Sequence, residues 1–334
     1  MTTTSTTRIL IIRFSSIGDI VLTTPVVRML KQQLEGEVEI HFLTKTKFAS
    51  LLSSNPYVSK VHGIEKSVQE ILPTLEQIGF DYIIDLHNNI RSSIVKRRLK
   101  SLSFTFDKLN VKKWIWVNFG INKMPDKHIV ERYLETTKAF GIKDDGNGLD
   151  YFIPADVVIK NEELNSFMRK PFIAFAIGGA HIGKRMSKEK LASLCADLPF
   201  PVVLLGGKED ADTGKFIHES NNNHVFDATG ILSLDESALC VKAASLVITG
   251  DTGLMHIASA FKKKIISLWG CTVPGFGMYP FRPDRESIII EPAGRNKRPC
   301  SKLGNKCKYG VDNRCIDHIS NEKIAEAANR LMTT

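Results

Sequence analysis

Four stretches of the chain gather charged, hydroxyl and glycine residues at spacings that suit chemistry on an anionic ligand. In Phe14-Ser15-Ser16-Ile17-Gly18-Asp19, the Asp19 carboxylate can serve as a general base toward a hydroxyl, or simply cap the helix that follows. In Thr249-Gly250-Asp251-Thr252-Gly253-Leu254-Met255-His256, a helix start leaves the N–H groups of Thr252, Gly253 and Leu254 unpaired, and its dipole favours a phosphate. Gly253 allows close approach there and the Thr252 hydroxyl adds a donor. The plainer reading is an Asp/Thr cap with His256 as an inner histidine. In Gly178-Gly179-Ala180-His181-Ile182-Gly183-Lys184-Arg185, Lys184 as a point charge and Arg185 as a fork can neutralise a diphosphate, or belong to a solvated basic loop. Finally, Asp85-Leu86-His87-Asn88-Asn89-Ile90-Arg91-Ser92 sets His87, Asn88 and Arg91 where a polar acidic acceptor can meet them, unless it is only a capped surface turn.

Each stretch follows an apolar run and precedes a helical pattern, so strand ends must position them. In the first half, β-type runs at 8–14, 38–43, 58–64 and 82–86 alternate with helical spacing at 20–34, 67–78 and 128–140. A basic, aromatic stretch from Lys96 to Phe119 interrupts the rhythm. Turn formers from Lys143 to Pro154 read as a linker. The alternation then resumes with runs at 172–177, 202–205, 224–226, 246–248 and 265–268, and an amphipathic segment at 320–331, which Ser320 can cap, ends the chain. This predicts two α/β domains with parallel sheets, whose ligands bind beyond the carboxyl ends of the strands.

Composition narrows the function. The 334 residues carry 45 Lys and Arg against 36 Asp and Glu, a formal net charge of +9 that suits an anionic partner. No apolar run approaches the roughly 18 residues of a spanning helix. The opening Met1 to Thr7 lacks the basic start and apolar stretch of a signal peptide, so the reading expects a cytoplasmic protein. There is no GxGxxG and no GxxxxGK[ST] sequence, which weakens a nicotinamide dehydrogenase and a P-loop enzyme. Six cysteines are too sparse for a disulfide framework. Cys300, Cys307 and Cys315, with His318, invite a zinc reading, but their spacings lack the C-x₂₋₄-C of structural zinc sites, so no metal and no cofactor are expected.

The motifs resemble the ADP-heptose:lipopolysaccharide heptosyltransferases of glycosyltransferase family 9 over nearly the whole chain. The resemblance rests on Phe14 to Pro25, on Asp85 to Ser92, on Lys184-Arg185-Met186-Ser187 and on Thr249 to His256, and the late cysteine cluster also looks like one that many members carry. It implies a GT-B fold, two Rossmann-like α/β/α domains facing an interdomain cleft: an acceptor-binding domain at 1–153, a nucleotide-sugar domain at 154–318, and a last helix at 319–334 that crosses back onto the first domain. By the resemblance Asp19 is the catalytic base. Lys184, Arg185, Asp227, Asp251, Thr252, Gly253, Leu254 and His256 hold the donor; Ser15, Gly18, His87, Asn88 and Arg91 face the acceptor. Met186-Ser187 replaces the family's common Trp-Pro after Lys-Arg, so aromatic packing at that place is not carried over.

The expected reaction is an inverting, metal-independent transfer of a sugar, heptose by family default, from ADP-heptose to a lipopolysaccharide core acceptor such as Kdo-lipid A. Asp19, taken as an exposed carboxylate with a pKa of about 3.9, would accept the hydroxyl proton. Lys184, Arg185 and the helix start at Thr252 would stabilise the leaving diphosphate. The basic stretch suits an anionic lipid-linked glycan and peripheral contact with the acidic inner membrane face. Other readings are a two-domain nucleotide or sugar-phosphate binding protein without turnover, and a nucleic-acid binder, the latter without a readout motif.

Overall fold

The computed structural model describes residues 6–221 and 224–333; Met1–Ser5, most of the threonine-rich start, lies outside them. The chain divides into two compact units. One holds the residues up to Lys108 together with Lys127–Phe152; the other holds Leu109–Asp126 and everything from Ile153 onward.

The first unit is a five-stranded parallel sheet in the order β3-β2-β1-β4-β5, built from β1 (Thr7–Ile12), β2 (Val38–Lys45), β3 (Lys60–Ile64), β4 (Tyr82–Asp85) and β5 (Leu102–Thr105). Its central β1 is an apolar run whose Ile9, Leu10, Ile11 and Ile12 are fully buried, as a strand covered on both faces requires. The helices are α1 (Ile17–Val21), α2 (Thr24–Gln33), α3 (Ser50–Ser53), α4 (Leu72–Ile78), α5 (Ile90–Leu99) and, after the excursion into the second unit, α7 (Ile129–Leu134). The single helix expected over 20–34 is broken because Pro25 has no N–H to continue α1. The hydroxyls of Thr23 and Thr24 instead donate to the carbonyls of Ile20 and Val21, at 2.6 and 2.8 Å.

The second unit carries a six-stranded parallel sheet in the order β11-β10-β9-β6-β7-β8, from β6 (Ile173–Ala176), β7 (Val202–Leu205), β8 (Val225–Asp227), β9 (Leu246–Gly250), β10 (Ile265–Leu268) and β11 (Ile288–Ile290). Its helices are α6 (Asn110–Phe119), α8 (Glu162–Phe167), α9 (Lys188–Asp197), α10 (Ala211–Ser220), α11 (Leu234–Ala243), α12 (Gly253–Ala260) and α13 (Asn321–Thr333). Both units are therefore Rossmann-like α/β layers, the pair that makes up the GT-B class.

Three expectations change. The stretch Lys96 to Phe119 is not one surface of the first unit: its start closes α5, Leu102–Thr105 becomes the edge strand β5, and α6 joins the second unit. There the Trp116 ring meets Phe276 edge-on at 5.4 Å, and a Cβ on Gly275 would lie 2.5 Å from that indole. Next, α13 belongs to the second unit: its Ile324, Ala328 and Leu331 join that unit's core with Leu191 and Leu194 of α9. Its start is capped as expected, the Lys323 N–H donating to the Ser320 hydroxyl at 3.3 Å. Finally, most of the expected linker is anchored. Arg28 of α2 donates to Asp145 at 2.7 Å, to Asp150, and to the Gly148 carbonyl at 2.9 Å, which ties these residues into the first unit.

Candidate active site

In each sheet the strand order reverses at one place, and there the loops after two neighbouring strands part and leave a crevice where α/β proteins bind ligands. In the first unit it lies between β1 and β4; in the second, between β6 and β9. The sequence motifs fall on the four loops that flank these two points.

At the first point Asp19 sits in the first turn of α1, its side chain 18% exposed. One carboxylate oxygen pairs with Arg13 Nη2 at 2.6 Å. The other accepts from the Ser16 N–H at 3.1 Å and the Ser16 hydroxyl at 2.8 Å. Burial by itself would raise the carboxyl pKa, but the Arg13 charge and the Ser16 donors outweigh it and hold Asp19 at about 2. Asp19 is thus not the exposed, ordinary carboxylate that the sequence suggested. Arg13 is fixed in turn: it donates to the Ser15 carbonyl at 2.8 Å and the Leu86 carbonyl at 2.6 Å, over the buried Tyr133 ring.

From the β4 side, the fully buried Asp85 accepts the N–H groups of His87 and Asn88 at 3.0 and 2.7 Å and pairs with Lys96 at 2.8 Å. Burial first, then the Arg13 charge, pushes the His87 pKa down to about 4, so its ring is neutral at pH 7. It meets Phe14 edge-on at 5.0 Å. Asn88 takes a positive φ of 50° and spends its side-chain amide on the Phe106 carbonyl at 3.0 Å, which makes it a turn residue first. Arg91 is exposed on the first turn of α5, Gly18 is buried in α1, and Ser15 contributes its carbonyl to Arg13.

At the second point Lys184 pairs with Asp251 at 2.6 Å, and Asp251 also accepts the Thr272 hydroxyl at 3.1 Å. Asp251 therefore holds the lysine; as an anion it is not itself a phosphate ligand. Thr252 caps α12, accepting the Met255 N–H at 3.4 Å and sharing a hydrogen bond with Thr249 at 2.9 Å. Gly253 and Leu254 open the helix half-exposed, where first-turn N–H groups lack intrahelical partners. His256 is 2% exposed, an inner histidine of α12. Arg185 donates to the Gly179 carbonyl and faces Asp210 at 3.5 Å and Glu209 at 3.9 Å. Asp227 closes its own turn, accepting the N–H and hydroxyl of Thr229 at 2.9 and 2.7 Å.

The comparisons with known proteins bear on this architecture. The family model described as "Glycosyltransferase family 9 (heptosyltransferase)" matches residues 68–309. The chain belongs to glycosyltransferase family 9. It is 27% identical to lipopolysaccharide heptosyltransferase 1 of Campylobacter coli, over 97% of this chain and 98% of that protein. Among solved structures it resembles a family 9 glycosyltransferase from Veillonella parvula, at TM-score 0.75 and 21% identity over 98% and 97% of the two chains. It also resembles the E. coli ADP-heptose lipopolysaccharide heptosyltransferase II, at TM-score 0.69 and 20% identity over 98% of each. The latter two likenesses speak for the fold.

Several residues that meet at these loops carried little or no signal in the sequence. Arg13 was counted as the end of an apolar strand, although a charge ending a buried run is itself a signal. Tyr133 lay in a helical pattern and carried none. Asp210-Ala211-Asp212 has the spacing of a metal-binding carboxylate pair, but Asp210 is 5% exposed, accepts the Gly207 N–H at 2.9 Å and faces Arg185. The late cysteines, set aside on spacing, do gather: Cys271 joins Cys300, Cys307 and Cys315, while His318 turns away to Asn313.

Proposed function

We propose that this glycosyltransferase moves heptose from ADP-heptose onto a lipopolysaccharide core acceptor such as Kdo-lipid A, with inversion and without a catalytic metal. The observation that carries the reading is that, in a chain of this family, one unit's switch point holds a fixed carboxylate, Asp19, and the other unit's switch point holds a fixed ammonium, Lys184. The relatives' names, lipopolysaccharide heptosyltransferase and ADP-heptose heptosyltransferase, support the donor and acceptor classes.

In the proposed reaction the acceptor oxygen attacks the anomeric carbon as the bond to the donor's diphosphate breaks, and Asp19 takes the hydroxyl proton. A carboxylate held at about 2 is a weak base toward a ground-state alcohol. It suffices if the proton leaves late, when the attacking oxygen has already lost electron density to carbon and become strongly acidic. Arg13 and Ser16 keep the carboxylate charged and aimed until then. The leaving diphosphate is met by Lys184 and by the first-turn N–H groups of Gly253 and Leu254, dipoles that are in place before charge develops. Lys184 exchanges its Asp251 partner for phosphate oxygens, which carry more charge.

Peripheral contact with an acidic leaflet is part of the proposal. It is supported by α6 and the turn after it, where Val111, Trp114, Phe119 and Ile121 are exposed beside the exposed Lys112 and Lys123, an apolar surface with basic neighbours. Purified protein with ADP-heptose and deacylated Kdo-lipid A, in EDTA, tests the whole. Release of ADP with a product heavier by one heptose and of inverted anomeric configuration supports the reading. Retention of configuration, or turnover abolished by EDTA and restored by magnesium, contradicts it.

A further inference from the structure

The Sγ atoms of Cys271, Cys300, Cys307 and Cys315 all lie within 4.8 Å of one another, with Cys300 3.6 Å and Cys307 3.8 Å from Cys315. Cys271, Cys300 and Cys315 are buried and Cys307 is half-buried, and the remaining two cysteines, Cys195 and Cys240, sit elsewhere in the sheet's cores. Four thiols meeting by packing alone is hard to account for, since a thiol is a weak donor and weak acceptor that gains little from another thiol. A tetrahedral ion accounts for it. With Zn–S of about 2.3 Å the sulfurs of a tetrathiolate site stand about 3.8 Å apart, close to the two separations from Cys315 and inside the 4.8 Å that bounds all four. The thiolates of an iron–sulfur cluster stand further apart, because the inorganic core lies between them.

We infer that the four cysteines bind one zinc ion in a closed structural site, which staples the loop that carries Lys184. Cys271 donates its N–H to the Gly183 carbonyl at 3.1 Å, Gly183 donates to the Gly304 carbonyl at 2.9 Å, and Cys300 donates to the Cys271 carbonyl at 2.8 Å. Gly183, one residue before Lys184, is enclosed so tightly that a Cβ there would lie 2.7 Å from Cys271 Sγ and 2.6 Å from the Gly304 oxygen. Between residues 291 and 314 the chain has no helix or strand, so a bound ion supplies the cross-link that a core would otherwise supply. All four positions are filled by protein sulfur, so the ion takes no part in the transfer, and this inference stands whichever sugar is moved.

The test is metal analysis of the full-length protein purified under reductant and passed over a chelating resin. One zinc per chain is expected, falling below a tenth in the Cys307→Ser/Cys315→Ser variant, and cobalt loading should give the intense visible bands of a tetrahedral thiolate site. Because that variant can fail to fold, wild type is also read by alkylation. Stripping zinc should speed alkylation of the four cysteines about tenfold or more, with Cys195 and Cys240 unchanged. Four free thiols with no zinc taken up on loading, two disulfides, or iron in place of zinc, with or without acid-labile sulfide, would each overturn the inference.

Discussion

The two switch points are the same topological feature loaded with opposite charge logic. In the first unit the aimed group is an acid, Asp19, and its anchor is the buried Arg13, itself fixed by the Ser15 and Leu86 carbonyls. In the second the aimed group is a base, Lys184, and its anchors are Asp251 and the Thr272 hydroxyl. The fold supplies the crevice in both units, and the sign of the anchor decides what the crevice can do. On the proposed reading, the first crevice takes a proton and the second meets an anion. Their environments differ too: the first unit holds the buried His62 and the half-buried His87, whose pKa values burial pushes down to about 4.

The sharpest way to break the contrast is to remove an anchor. Arg13→Met strips the partner from a largely buried carboxylate, so about 3–5 kcal/mol of stability should be lost, read by chemical denaturation. The Asp19 pKa should rise from about 2, read by carboxyl NMR. Acid should act on the first unit next. A histidine whose folded pKa lies near 4, below its unfolded value near 6.5, contributes stability above pH 6.5 that is lost as pH falls from 6.5 toward 4. For the 3%-exposed His62 this amounts to about 3 kcal/mol. Asp19 adds a further loss between its unfolded value near 3.8 and about 2. Hydrogen exchange followed from pH 7 to pH 4 should show protection in the first unit's sheet falling through this range. Lys184→Ala should lower kcat/KM by about 100-fold and weaken ADP binding, with the first unit's stability unchanged. The smallest effect belongs to Thr252→Ala, which removes the α12 cap and should cost about 1 kcal/mol in thermal unfolding.

Much of this was legible in the sequence because parallel strands buried on both faces are apolar runs that end at polar loops. Ile9 to Ile12, Val202 to Leu205 and Leu246 to Gly250 announce themselves, and with them the places where Asp19 and Asp251 must stand. The misses have physical causes. Strand β5 is an edge strand, with Leu102, Ser103 and Thr105 exposed, so it lacks an apolar signature. The affiliation of α6 depends on Trp116 meeting Phe276, a contact 160 positions away in the chain that no periodicity carries. The charge partners Arg13–Asp19 and Lys184–Asp251, and the arrival of Cys271 beside the late cysteines, are likewise set by sheet order. Spacing rules cannot see a fourth ligand that comes from another strand end.

The most direct test of the division of labour is to measure ADP affinity by calorimetry and ADP release from ADP-heptose on the same Asp19→Ala preparation. The account predicts turnover reduced by about 10²–10⁴ with ADP affinity within twofold of wild type. Turnover kept within a few-fold, or nucleotide binding lost along with it, would contradict the assignment of the proton to one unit and the diphosphate to the other.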